Sequence, residues 1–166
     1  MVRELRSQEI EDIAVGAAIL GSGGGGDPFI GKLMAVQAIA EHGPVQLVTP
    51  DELPADGLAV PVAMMGAPTV VVEKIPNGQE IGRAFAALSS FLGQEVVGIV
   101  PIEAGGLNSM LPLALASALG IPAIDLDGMG RAFPELQMVT FHLGGISATP
   151  MVIVDEKGNQ CLLETI

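Results

Sequence analysis

"EVVGIVPIEAGGLNSMLPLALASALGIPAIDLDG", residues 95–128, decides the fold. Its first eight residues are, after Glu95, apolar and rich in β-branched side chains, as in a strand buried on both faces. Residues 108–120 begin with two capping side chains, Asn108 and Ser109, and run apolar to a closing Gly120. That is a helix, with Pro112 near enough to its start to be tolerated. "IPAIDL" (121–126) is apolar again and reads as a second strand. Two strands joined by one helix through short links run parallel, because the crossover returns the chain to the same end of the sheet.

The alternation extends upstream. "LAVPVAMM" (58–65) reads as a buried strand, and Asn77 can cap a helix running to Leu92 and ended by Gly93. "TVVVEK" (69–74) reads as a further strand, "VQLVT" (45–49) as a short one, and "DELPADG" (51–57) as a turn-rich link. Nearer the start, Ser7 can cap a helix that places Ile10, Ile13, Ala14 and Ala17 on one face. Asp27 and Pro28 form a cap and first-turn proline for a second helix to about Glu41, stopped by Gly43 and Pro44. Downstream, "MVTFHL" (138–143) reads as extended, and residues 151–165 as a hairpin turning at Lys157-Gly158-Asn159. The expected fold is a single α/β domain over residues 1–166. It is a three-layer α/β/α sandwich with a mainly parallel sheet, helices on both faces and a C-terminal β-hairpin.

Composition narrows the function. The chain has 166 residues, 49% of them hydrophobic, with five Phe and neither Trp nor Tyr, so its core is built from aliphatic side chains and Met. Such an apolar surplus in one small domain predicts a partner surface, either a second copy or a further domain. No apolar run reaches the length of a bilayer span, and the acidic N-terminal segment lacks the core of a signal peptide. A net charge of -12, with seven Lys and Arg spread singly, argues against nucleic acid as a partner. The single Cys161 excludes an intrachain disulfide and fits a reducing, cytoplasmic setting.

Chemistry-bearing residues gather in two places. "GSGGGG" (21–26) ahead of Asp27 matches G-x-G-x-x-G at Gly21, Gly23 and Gly26. A helix precedes it rather than a strand, and Glu41 comes too early to hold a ribose, so a dinucleotide site is disfavoured. No Gly-Lys-Ser/Thr follows, which excludes a Walker loop. A hinge between helices is one reading of Gly23, Gly24, Gly25 and Gly26. The other is an anion or ligand cradle whose amides, with Asp27, open a helix.

The second place is the carboxyl edge of the sheet, where open parallel sheets bind ligands. "MGAPT" (65–69), "PIEAGGLNS" (101–109) and "DLDGMGR" (125–131) follow the three strands and bring Gly66, Glu103, Asn108, Asp125, Asp127 and Arg131 to one edge. Asn108 suits a helix cap as well as a ligand contact, Asp127 suits an ordinary turn before Gly128, and Arg131 can pair with a neighbouring acid. Glu103 is costly to bury unpaired, and Asp125 ends an apolar strand, so both are harder to explain structurally. An Asp-x-Asp pair offers oxygen ligands to a divalent cation, with His142 as a third candidate. His42 suits the end of its helix, where a cation favours the dipole. Cys161 has no histidine near it in sequence to make it a nucleophile.

Taken together, "IEDIAVGAAILGSGGGGDP", "MMGAPTVVVEK" and "PIEAGGLNSMLPLALASALGIPAIDLDGMGRAFPELQM" resemble the S-methyl thiohydantoin desulfurase-like family, along essentially the whole chain. The resemblance implies the N-terminal half of a longer, two-domain protein whose second domain is β-rich. It also implies hydrolysis of an S-methyl thiohydantoin to a hydantoin and methanethiol. In that reaction Glu103 is the expected base. Asp125 and Asp127 hold a divalent metal or orient the ring, Arg131 meets developing charge, and the glycine loop lies against the ring. The alternative is a ligand-binding or regulatory subunit without catalysis, serving a hydantoinase-type partner.

Overall fold

The computed structural model describes residues 3–74 and 76–165. Five strands form the main sheet: β1 (Arg3–Leu5), β2 (Val45–Val48), β3 (Leu58–Val62), β4 (Val96–Pro101) and β5 (Ala123–Ile124). Their order is β1-β2-β5-β4-β3. All neighbouring pairs are parallel except β1 with β2, where Arg3 lies opposite Leu47 and Leu5 opposite Val45. The three strands expected from residues 58–65, 95–102 and 121–126 are therefore adjacent. The fold is mixed α/β, with a mostly parallel sheet, helices at its sides and a C-terminal hairpin.

Helices α1 (Ser7–Gly21), α2 (Pro28–His42), α3 (Pro68–Glu73), α4 (Glu80–Leu92), α5 (Leu111–Leu119) and α6 (Thr140–Leu143) complete the domain with the hairpin strands β6 (Met151–Val154) and β7 (Gln160–Leu163). Because β3, β4 and β5 are laid down in one direction, right-handed crossovers place their linking helices on one face. On that face Val60, Val62, Ile99 and Ala123 pack with Met110 at the cap of α5 and Leu113 and Ala116 within it, and Ile81, Phe85 and Leu88 of α4 join them. Helix α5 packs closely against both the sheet and α2. The buried Ser117 hydroxyl fixes it by donating to the carbonyls of Ala38 and Gly43. The opposite face carries Val48, Val100 and Ile124 under a lighter cover of Leu53 and Phe141. The link from β2 to β3 supplies Leu53 just after a 3₁₀ turn (Pro50–Glu52) rather than a full helix. The two outer layers are thus unequal.

Several local expectations change. Helix α4 has Gln79, not Asn77, at its cap position, and α5 starts after Met110 rather than at Asn108 and Ser109. Residues 69–73 lie in α3 and Lys74 ends it, so this stretch is not a strand; Val70 and Val72 are exposed, and no sheet buries their β-branched side chains. Residues 138–143 end a 3₁₀ turn (Leu136–Met138) and enter α6, so His142 is helical. Helix α1 begins at Ser7 itself, with Arg6 as its cap and the Arg6 amide donating to the Glu9 carboxylate.

The hairpin turn falls where the sequence predicts. Asp155 Oδ1 accepts from the amides of Lys157 and Asn159, and Oδ2 from the Asn159 side chain. The Asn159 side-chain hydrogen bond, with the two amides, holds the Asp155 carboxyl below its ordinary value. A depressed folded value means this contribution is present above the ordinary aspartate range and is lost as pH falls through the depressed one. Acidification through that range is expected to loosen the turn, with Asp155→Asn removing the pH dependence. Amide exchange at Lys157 and Asn159 checks it.

Candidate functional site

The four glycines are shaped by another stretch of main chain. Helix α1 ends as Ser22 turns left-handed (φ 49°), and Gly23, Gly25 and Gly26 all have positive φ. The loop then crosses the segment after β4 backbone to backbone. Gly24 O accepts from the Gly106 amide, and Gly25 O accepts from the amides of Leu107 and Asn108. A Cβ on Gly25 would stand 2.5 Å from the Gly105 Cα, and one on Gly24 would stand 2.6 Å from the Ala132 Cβ. A Cβ on Gly106 would collide with the Gly26 carbonyl. So Gly24, Gly25 and Gly26 are filled against protein, whereas Gly23 has nothing within 4 Å of a Cβ. Asp27 caps α2 by accepting from the Phe29 amide.

Glu103 is at the centre of this crossing, only 4% exposed. Its Oε1 accepts from the Asn108 side chain at 2.7 Å and its Oε2 from the Phe133 amide at 3.0 Å. Asn108 also accepts from the Met64 amide and donates to the Met64 carbonyl. One buried carboxylate and one buried amide thereby join the loops after β3 and β4 to the segment around Phe133, with the glycine loop packed against them. Among the described residues no cation pairs with Glu103, so these neutral donors offset the cost of its burial. Glu103→Gln would turn an amide nitrogen toward one of the two N–H donors. The expected loss is about 1–3 kcal/mol, read from denaturant midpoints, with Asn108→Ala expected to act on the same unit.

The remaining candidates are freer. Asp125 is exposed; its amide donates to the Val48 carbonyl, and among the described residues no hydrogen bond to its carboxylate is found. Asp127 Oδ1 accepts from the Met129 and Gly130 amides, the turn chemistry its position suggests. Gly128 ties this segment to β4 by donating to Ile102 O. Arg131 is exposed, with Nε donating to the Ala132 carbonyl. Gly66 lies exposed past β3 with φ 147°. His142 is exposed on α6, whose first amide, Thr140, donates to Gly128 O. Among the described residues, no three His, Cys, Asp or Glu side chains come together to hold a metal ion. Asp125, Asp127 and His142 are thus not gathered into a three-ligand set. The Glu103–Asn108–Met64 latch escaped sequence reasoning, because nothing local links Asn108 to a main chain 44 residues away.

No helix among the described residues is long and apolar enough to cross a membrane. Among curated proteins, none matches this sequence. A crystal structure of a protein from Chromobacterium violaceum is similar, with 30% identity and a TM-score of 0.81. That match covers 99% of this chain and 45% of the other, so the chain spans less than half the length of that relative. The family model described as "S-Me-THD-like, N-terminal domain" matches residues 8–165, and the chain belongs to that family.

Proposed function

We propose that the carboxyl edge of the sheet binds an S-methyl thiohydantoin or a related hydantoin-type ring and takes part in its hydrolysis. The observation that carries this reading is the contrast at that edge. Glu103 and Asn108 are buried and hydrogen-bonded in holding the loops, while Asp125 and Arg131, on the loop after β5, are exposed. Family membership supports the substrate class.

In this reading Glu103 and Asn108 are positioning residues, and the base passes from Glu103, the residue expected from sequence, to Asp125. Water, deprotonated by Asp125, attacks the ring carbon that carries sulfur. Addition across the C=N bond puts negative charge on the ring nitrogen. Collapse then breaks the C–S bond, one water proton ending on that nitrogen and the one taken by Asp125 passing to the methanethiolate, giving hydantoin and methanethiol. Arg131 stabilises negative charge on the ring during attack. Asp127 shapes the turn that presents both, and Gly23, the open glycine of the loop, gives the ring a close approach to main chain.

The test is methanethiol release from S-methyl thiohydantoins by this chain and by the longer Chromobacterium violaceum relative. One thiol per ring consumed is expected. Ring binding by calorimetry, without thiol from either protein, would favour the second reading: a ligand-holding subunit for a hydantoinase-type enzyme. The engagement of Glu103 by its neighbours speaks for that alternative. Partners belong to the same proposal. Val15, Ile19, Phe29 and Leu33 expose apolar surface on α1 and α2, available to a second copy or a further domain. A strict monomer in light scattering would speak against the second copy.

A further inference from the structure

The lightly covered face of the sheet contains a cavity of about 230 Å³, and all its lining side chains are apolar. Ala59, Val100 and Ile124 form its floor, and Phe141 and Ile146 its outer wall. Pro50 and Leu126, each just past the end of a strand, place part of the rim at the carboxyl edge. Leu126 is also the residue between Asp125 and Asp127. We propose that this cavity is a specificity subsite, taking an apolar aryl or branched alkyl substituent of the ring ligand. This rests on the ring-binding reading above.

Three observations commit the cavity to that occupant. Its size suits one such group, since an apolar cavity of about 150 Å³ already takes benzene. Its lining offers neither charge nor side-chain hydrogen bond, so a polar or ionised substituent would lose hydration there without return. Its rim runs into the segment that carries Asp125 and Asp127, so a ring held there can direct a substituent inward. The outer wall is a local structure of its own: the Ile146 amide donates to the Phe141 carbonyl, and the Thr140 amide donates to Gly128 O. That second bond ties the wall to the same segment.

The test compares hydantoin, 5-benzylhydantoin and toluene by calorimetry and by methyl NMR on this chain. Toluene and 5-benzylhydantoin should shift the methyl resonances of Ile124 and Leu126. The benzyl group should tighten binding about tenfold or more over hydantoin, the gain expected for burying one aromatic side group. Ile146→Trp fills the mouth from an exposed position, and Ala59→Leu fills the floor. Either should remove the benzyl gain while leaving hydantoin affinity unchanged. The proposal fails if the benzyl group adds nothing, or if its gain survives both filled variants. Hydantoin binding without a benzyl gain overturns only the subsite. Toluene binding with no affinity for either hydantoin overturns the ring reading, and the subsite with it. Loss of an oligomer on Ile146→Trp would show that a second copy covers the cavity, which also overturns it.

Discussion

Gly25→Ala is expected to destabilise the protein by about 2–5 kcal/mol, the sum of a left-handed backbone penalty and overpacking against a neighbouring main chain. The Gly25 φ is 72°, and its added Cβ would stand 2.5 Å from the Gly105 Cα and 2.8 Å from Glu103 Oε1. Neither obstacle is the end of a flexible side chain on the surface. Gly23→Ala provides the control. It shares a positive φ of 88° but has nothing within 4 Å, so only the backbone penalty of about 1–2 kcal/mol applies. The difference between the two variants in chemical denaturation isolates the loop crossing. Equal losses at Gly23 and Gly25 would mean that the glycines serve only to bend the chain. This differs from the cradle reading of the sequence, in which Gly24 and Gly25 are kept small for a ligand rather than for neighbouring main chain.

Asp125→Asn is expected to lower the rate of methanethiol release about 10²–10⁴-fold, the usual contribution of one positioned general base. Stability should change little, because the carboxylate is exposed and its structural bond is made by the main-chain amide. Ring affinity should be retained, since asparagine keeps the shape and one acceptor oxygen. Glu103→Gln is predicted to behave differently, losing stability and rate together as the latch loosens. The parent and both variants, measured by single-turnover thiol release and by denaturation, separate the two roles. A Glu103→Gln variant that folds with parental stability and loses only its rate would return the base to Glu103.

The central strands were legible because "LAVPV" and "VVGIVP" are apolar in unbroken runs bounded by turn residues, a pattern that few other structures permit. Residues 70–72 carried the same β-branched signal and became helical instead. Pro68 begins the helix, and β3 is already the edge strand beside β4 alone. The strand β1 was missed, as three residues give too little pattern to read. At the site, the glycines of the loop announced a close approach but not what approaches. The answer lies about 80 residues on, in a second glycine pair, Gly105 and Gly106. Their match to the loop is a fact of packing, not of spacing. Glu103, hard to explain structurally from sequence, is buried with hydrogen-bond partners on both oxygens. Its partners, the Asn108 side chain and the Phe133 amide, exist only once the loops meet.

Binding of the ring at the carboxyl edge of the sheet can be observed directly. A crystal structure of the chain soaked or grown with a hydantoin tests it most directly. The ring is expected beside Asp125 and Arg131, within reach of Gly23. A ring found instead on the exposed α1–α2 face or on the β6–β7 hairpin, with the carboxyl edge empty, would contradict it.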